Sequence, residues 1–208
     1  MTNRVGVNVF DTINRDAASE IAFGAMVIRS ADGTVTSAID GSNTAGYDGI
    51  ALDSQVTKTK DGFYATYDPI ALATSGRVRC MVEGGGTDIT SGHFLKIGND
   101  FGMLIYEGGT KAVATSIAKA TEDVEVSNYT SGTMSGTAAT KAVTCADTTY
   151  FAAGDMVLLD NGGAVADSEL NVIDSVDSTT TLTMKNAILY TYSAADIHKC
   201  VQVEVLLC

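Results

Sequence analysis

The residue types that carry most protein chemistry are scarce in this chain: two histidines, His93 and His198, and four cysteines, Cys80, Cys145, Cys200 and Cys208. Neither histidine stands at a spacing that would build a metal site or a nucleophile pair. His93 follows Gly92 in a turn-forming stretch, where a turn-supporting or solvent-facing polar role is expected. The cysteines include no Cys-x-x-Cys pair, so a zinc knuckle is not expected. Cys80 lies in the apolar run Arg79-Cys80-Met81-Val82, where a thiol behaves as a small hydrophobe. Buried free thiols are the expectation, and a Cys145 to Cys200 bridge is the alternative.

Three other patterns touch on chemistry. Gly84-Gly85-Gly86 follows a strand but leads to Thr87-Asp88 and a further strand. A phosphate cradle needs a helix N-terminus at that point, so a flexible hairpin loop is predicted. Asp160, Asp167 and Glu169 surround a Gly-rich turn without the ordered ligand spacing of a calcium loop, which predicts a solvated loop. No nucleophile elbow, Walker sequence or dinucleotide fingerprint occurs. Paired carboxylates for glycoside chemistry would want aromatic sugar platforms, but tryptophan is absent and aromatics make up 7%. The expectation is therefore a protein that is not an enzyme, with no catalytic residues, no cofactor and no metal. Asn128-Tyr129-Thr130 matches the glycosylation sequon, which reads as a chance match because the start of the chain lacks the features of an export signal.

The charge narrows the partners. A formal net charge of −12 and a pI near 4.3, with no run of Lys or Arg, disfavour a nucleic-acid partner. No apolar run approaches the roughly 18 residues needed to cross a bilayer, so no membrane partner is expected and the product should be soluble.

The elements that would position these residues are short. Thr, Ser, Ala and Val recur, Gly counts 21 and Pro69 is the single proline, a composition that favours strands joined by tight turns. One pattern occurs three times: an apolar residue, a glycine within about three positions, then an alternating run. Its instances are Phe23-Gly24-Ala25-Met26-Val27-Ile28, then Ile89-Thr90-Ser91-Gly92-His93-Phe94-Leu95-Lys96-Ile97, then Phe151-Ala152-Ala153-Gly154-Asp155-Met156-Val157-Leu158-Leu159. A Gly-containing turn follows each (Asp32-Gly33, Gly98-Asn99-Asp100, Asn161-Gly162-Gly163), which predicts a hairpin. Irregular spacing between the copies argues against a solenoid or propeller.

Other predicted strands cover residues 49–52, 63–67, 77–82, 123–129, 171–176, 180–184 and 201–207. Residues 111–121 fit a short helix or a strand, with strand preferred. Residues 1–19 read either as an N-terminal arm that pairs with a neighbouring molecule or as a first strand, because Val5, Val7 and Val9 alternate before Phe10. Residues 130–140 carry Thr, Ser and Gly with little apolar surface and are expected to be a linker. The predicted fold class is all-β, with a small β-barrel or sandwich domain over residues 20–129 followed by a second, smaller β domain over residues 141–208.

Five stretches in order carry a resemblance: Glu20-Ile21-Ala22-Phe23-Gly24-Ala25-Met26-Val27, Tyr47-Asp48-Gly49-Ile50-Ala51-Leu52, Gly76-Arg77-Val78-Arg79-Cys80-Met81-Val82, Asp88-Ile89-Thr90-Ser91-Gly92-His93-Phe94-Leu95 and Gly102-Met103-Leu104. Over roughly residues 20–126 the chain resembles the capsid decoration, or cement, proteins of tailed viruses, with His93 where that family usually has an acidic residue. The segment from Cys145 onward looks like the small β modules appended to many virion proteins and used also in tails and adhesins. The resemblance implies a structural virion protein, made in the host cytoplasm, on the capsid exterior. It would bind the major capsid protein, associate with itself, as a trimer above all, and strengthen the expanded shell. A tail, neck or spike component is the alternative among structural proteins. A carbohydrate-binding or carbohydrate-active domain is the alternative of another class.

Overall fold

The computed structural model describes residues 12–38, 47–52, 63–98, 101–112, 115–161 and 167–207. The described elements are strands, and the fold is all-β. The chain divides into two compact units. The first comprises Met1–Val82, Asp88–Val124 and Gln202–Cys208, and the second Glu83–Thr87 and Glu125–Val201. The sequence-based division at residues 130–140 is therefore too simple, since the chain passes between the units several times.

In the first unit, β1 (Thr12–Asp16), β3 (Met26–Arg29), β4 (Val35–Ser37), β5 (Tyr47–Ala51) and β7 (Pro69–Ala73) form one sheet in the order β1-β7-β5-β3-β4. Just past β1, Ala17 bridges Val35 of β4, and Ala18 N–H donates to Val35 O at 2.7 Å. The two ends of this sheet thus meet at one point. The short pair β2 (Ile21–Ala22) and β6 (Phe63–Tyr64) adds a second ladder. A third set comprises β8 (Arg77–Glu83), β9 (Phe94–Ile97), β10 (Leu104–Gly108), β11 (Ala118–Ala120) and the last part of β17 (Tyr192–Leu207), in the order β11-β9-β10-β8-β17. β17 pairs back onto β11, with Ala118 opposite Leu207, so this set closes into a ring.

The second unit is one closed antiparallel ring. β12 (Thr130–Gly136), β13 (Ala142–Thr144), β16 (Thr181–Met184), β15 (Glu169–Ser178) and β14 (Met156–Asp160) follow β17 in that order, and β14 pairs with β17 again. Alternation turns Met134, Val143, Val157, Leu159, Ile173, Leu182, Met184 and Ile197 into a common buried core, with Phe151, Ile188 and Tyr192. Burying each large side chain of this kind contributes roughly 1.5–3 kcal/mol. Closure leaves no edge to solvent, which is how a barrel avoids indiscriminate pairing.

The stretch expected to be a linker is β12 itself. Its few inward positions are enough, because Met134 is fully buried and Ser131 nearly so. Register shifts beside Met134 bend the strand around the ring, and Thr133 takes a φ of 56° there. Residues 123–129, expected to be a strand, contribute only a bridge between Val124 and Ile89. Of residues 111–121, β11 is the strand part, while Ser116 N–H donates to Ala112 O at 3.0 Å to make a turn.

Candidate interaction surface

The thrice-repeated pattern resolves into one hydrogen-bond arrangement made three times. The residue after the glycine donates its N–H to the carbonyl three residues before it: Ala25 to Ala22 at 3.2 Å, His93 to Thr90 at 3.0 Å and Asp155 to Ala152 at 3.1 Å. The glycines have φ of 85°, 98° and 92°, the left-handed region that favours glycine at the third position of a β-turn. Each glycine N–H then donates to a carbonyl of another strand or its flank, that of Ala51 (2.7 Å), Ala120 (2.9 Å) or Ile173 (2.8 Å). Those residues donate back to the carbonyls of Ala25 (2.9 Å), His93 (2.8 Å) and Asp155 (2.9 Å). The leading apolar residues Phe23, Ile89 and Phe151 are all buried. The strands that leave the turns, β3, β9 and β14, fold back as hairpins with β4, β10 and β15, as the sequence predicts.

This arrangement gives His93 a role. Its Nδ1 accepts the Thr90 N–H at 3.2 Å, and in the third copy the Asp155 carboxylate accepts the equivalent Ala152 N–H at 2.7 Å. Both side chains cap the first N–H of the turn, so His93 supports the turn as expected. Asp155 also binds Lys199 Nζ at 2.8 Å, and that ammonium lies 4.9 Å from the centroid of the Tyr129 ring.

For His198 the sequence suggests no partner. Its ring is half-buried in the second unit, and Nδ1 donates to Gly84 O at 3.0 Å. Gly84 N–H donates to Lys199 O at 2.8 Å and Gly85 N–H to Val126 O at 2.7 Å. A Cβ on Gly84 would stand 2.4 Å from Tyr129 O. Gly84 and Gly85 are therefore packed and hydrogen-bonded within the unit, not a flexible hairpin loop, and their N–H groups are already used. The signal in the sequence was the glycine pair itself, which marks close backbone approach as readily as flexibility.

Among the described residues no group of three His, Cys, Asp or Glu side chains is arranged to hold a metal ion. Asp160 accepts from Ser168 Oγ at 2.9 Å, and Glu169, only 6% exposed, takes the Leu189 N–H on both oxygens at 2.9 and 3.1 Å. Glu169 is thus a buried, hydrogen-bonded group and not part of a solvated loop. Cys80, Cys145 and Cys200 are buried thiols outside any disulfide, so Cys145 and Cys200 are not bridged; Cys208 lies outside the described residues. Burial pushes the Cys80 thiol up to about 12 and raises those of Cys145 and Cys200.

The surface of the first unit carries a fixed charge cluster where β1 meets its sheet. Asp48 on β5 accepts from Arg15 Nε at 3.0 Å, Arg29 Nε at 3.0 Å and Arg29 Nη2 at 2.7 Å. Burial alone would raise the Asp48 carboxyl, but the hydrogen bonds of the two guanidiniums, followed by their charges, more than offset this and hold it below the ordinary aspartate value. β1 pairs residue for residue with β7, from Thr12 opposite Ala73 to Asp16 opposite Pro69, and it stands at the end of the strand order. Val5, Val7, Val9 and Phe10, the expected arm, lie outside the described residues. The most exposed large apolar side chains described are Tyr67 at 80% and Leu189 at 68%. No family model, curated protein or solved structure matches the chain.

Proposed function

We propose that this chain is a structural virion protein, a capsid decoration or cement protein that binds the outer face of a tailed-virus shell and strengthens it without performing catalysis. The observation that carries the reading is where four of the five resemblance stretches meet. Gly24 N–H donates to Ala51 O (2.7 Å), Met81 N–H to Gly24 O (2.7 Å) and Met26 N–H to Gly102 O (2.8 Å), so four of the stretches lock together through main-chain bonds in the first unit. The fifth, residues 88–95, builds the second copy of the glycine turn. The order of segments that suggested the family is therefore also the wiring of one unit. An acidic chain of net charge −12 that builds closed rings suits a protein that stays soluble until it meets one specific surface.

Its partners in this reading are the major capsid protein and further copies of itself, as a trimer on the capsid exterior. Residues 1–10 would add a strand to a neighbour, entering beside β1, with Val5, Val7, Val9 and Phe10 choosing the register. The test is copy number in purified particles. On the order of hundreds of copies per particle supports shell decoration, whereas about six or twelve, the symmetry of a ring, would assign the chain to a neck or tail. Deleting residues 1–10 should leave the melting temperature nearly unchanged and abolish decoration or oligomerisation. Unfolding of the truncated chain would place those residues in its own core.

A further inference from the structure

The turn after β6 contains an exposed tyrosine in a backbone conformation that tyrosine does not favour. Ala65, Thr66, Tyr67 and Asp68 form a β-turn closed by Asp68 N–H donating to Ala65 O at 3.0 Å. The Asp68 carboxylate accepts the Ala65 N–H at 2.8 Å, and Tyr67 N–H donates to Ala17 O at 2.7 Å, so the turn is fixed from both sides. Tyr67 occupies its third position with a φ of 70°. Glycine takes that conformation freely, and any L side chain takes it at a cost.

Elsewhere among the described residues the chain meets this demand with small side chains. The other non-glycine residues at positive φ are Thr133, Ala139 and Ala194, and Gly24, Gly92 and Gly154 serve the three repeated turns. Tyr67 alone among them is large. The fold draws little in return, because the side chain is 80% exposed and its ring stacks on no other among the described aromatics. Thr66 and Pro69 beside it are exposed as well, and Asp16, opposite Pro69 in the β1–β7 ladder, adds an exposed carboxylate.

A strained backbone that displays a large amphipathic ring is accounted for when the ring is used outside the molecule. Tyrosine is among the residues that most often dominate protein interfaces, because its body fills an apolar pocket while its hydroxyl finds a polar partner. We propose that Tyr67 is a docking anchor that inserts into an apolar pocket of the shell protein, with Lys or Arg at the pocket rim facing Asp16. The charge assignment follows from complementarity to a chain of net charge −12. This inference rests on the decoration reading and adds to it the residue and the pocket chemistry.

The experiment uses the full chain as wild type, Tyr67→Gly and Tyr67→Ala, with shells of the parent virus prepared without the protein. Tyr67→Gly removes both the ring and the strain. It should raise the melting temperature by roughly 2–4 °C, the shift that relief of a single strained residue gives in a domain of this size, while co-sedimentation with shells weakens at least about tenfold. Tyr67→Ala should lose binding to the same degree without the gain in melting temperature. Variants that bind as tightly as the wild type would overturn the anchor and leave the decoration reading standing. Wild-type protein that binds no shell overturns both. A melting temperature that falls in Tyr67→Gly would show that the ring serves the fold, and would also overturn the proposal.

Discussion

Two glycines of the first unit separate the cost of a left-handed backbone from the cost of a steric collision. Gly33 has a φ of 88°, and an added Cβ would find nothing within 4 Å. Gly102 has a φ of 73°, but its Cβ would stand 2.2 Å from Met26 O and 3.0 Å from Met26 N. Gly33→Ala should therefore cost only the conformational term, about 1–2 kcal/mol. Gly102→Ala bears that term and must also push backbone from backbone. Overpacking adds about 1–3 kcal/mol, and stretching the 2.8 Å bond from Met26 N–H to Gly102 O adds about 0.5–1.5 kcal/mol. The expected sum, about 2.5–6.5 kcal/mol, reaches the lower end of the whole stability of many domains, about 5–15 kcal/mol. Gly24→Ala, with its nearest contact at 3.0 Å from Met81 N, should fall between the two. Urea unfolding followed by circular dichroism would rank the three variants. Equal losses for Gly33→Ala and Gly102→Ala would refute the claim that Gly102 is required for close approach and not just for its φ.

Other consequences can be checked with the same protein. Asp48 is held below the ordinary aspartate value of 3.8, so the stability it contributes is complete above that value and is lost as pH falls through the lower, folded one. Wild type should be more stable than Asp48→Asn at neutral pH, and the two curves should converge in acid; curves that stay parallel would show that the ionised cluster contributes nothing. His93→Ala should destabilise by about 0.5–2 kcal/mol, as loss of a comparable cap does, and His93→Asp should restore stability by supplying the carboxylate that Asp155 supplies in the third turn. In a Cys208→Ser background, native protein should not react with a thiol reagent at mildly alkaline pH, and three thiols should appear on unfolding, because Cys80, Cys145 and Cys200 are buried and form no disulfide. Rapid labelling of the folded protein would contradict that burial.

The sequence was informative where one residue type answers one geometric demand. The three glycine turns could be read because a glycine that supplies a positive φ just before an alternating run has one common use, the sharp entry to a hairpin strand, and all three hairpins are present. Ring closure could not be read in the same way. β12 turns few apolar side chains inward, and its register shifts break the period of two that marks a strand. β17 was visible only over its apolar end. Its first half carries the polar residues Ser193, Asp196, His198 and Lys199 and bends at Ala194, where φ is 56°. Residues 123–129 gave the opposite error, since the alternating Val124 and Val126 serve a single bridge and a packed loop whose carbonyl at Val126 is taken by Gly85. His198 was silent for a related reason. Its partner is a main-chain carbonyl more than a hundred residues away in sequence, brought near only when β17 lies beside the end of β8.

Ring closure also bears on how such a protein can bind. In a closed antiparallel ring the main-chain donors and acceptors are spent on neighbouring strands, so a partner cannot be gained by adding a strand to it. The second unit is a ring of this kind, and the β11-β9-β10-β8-β17 set is closed as well. The sheet that begins with β1 differs, because its ends are joined past β1 by the Ala17–Val35 bridge, the Ala18 N–H to Val35 O bond and the Ser19–Thr36 hydroxyl pair, while β1 itself pairs with β7 alone among the described strands. β1 is the end strand of that sheet among those described, and Val5, Val7 and Val9 lie outside the described residues. A partner that met the closed rings would instead be engaged by side chains on turns. Tyr67 is tied to Ala17 by the Tyr67 N–H to Ala17 O bond, so the displayed ring and the point where that sheet closes are held by the same residue. A surface that engaged the one would thereby be brought against the other.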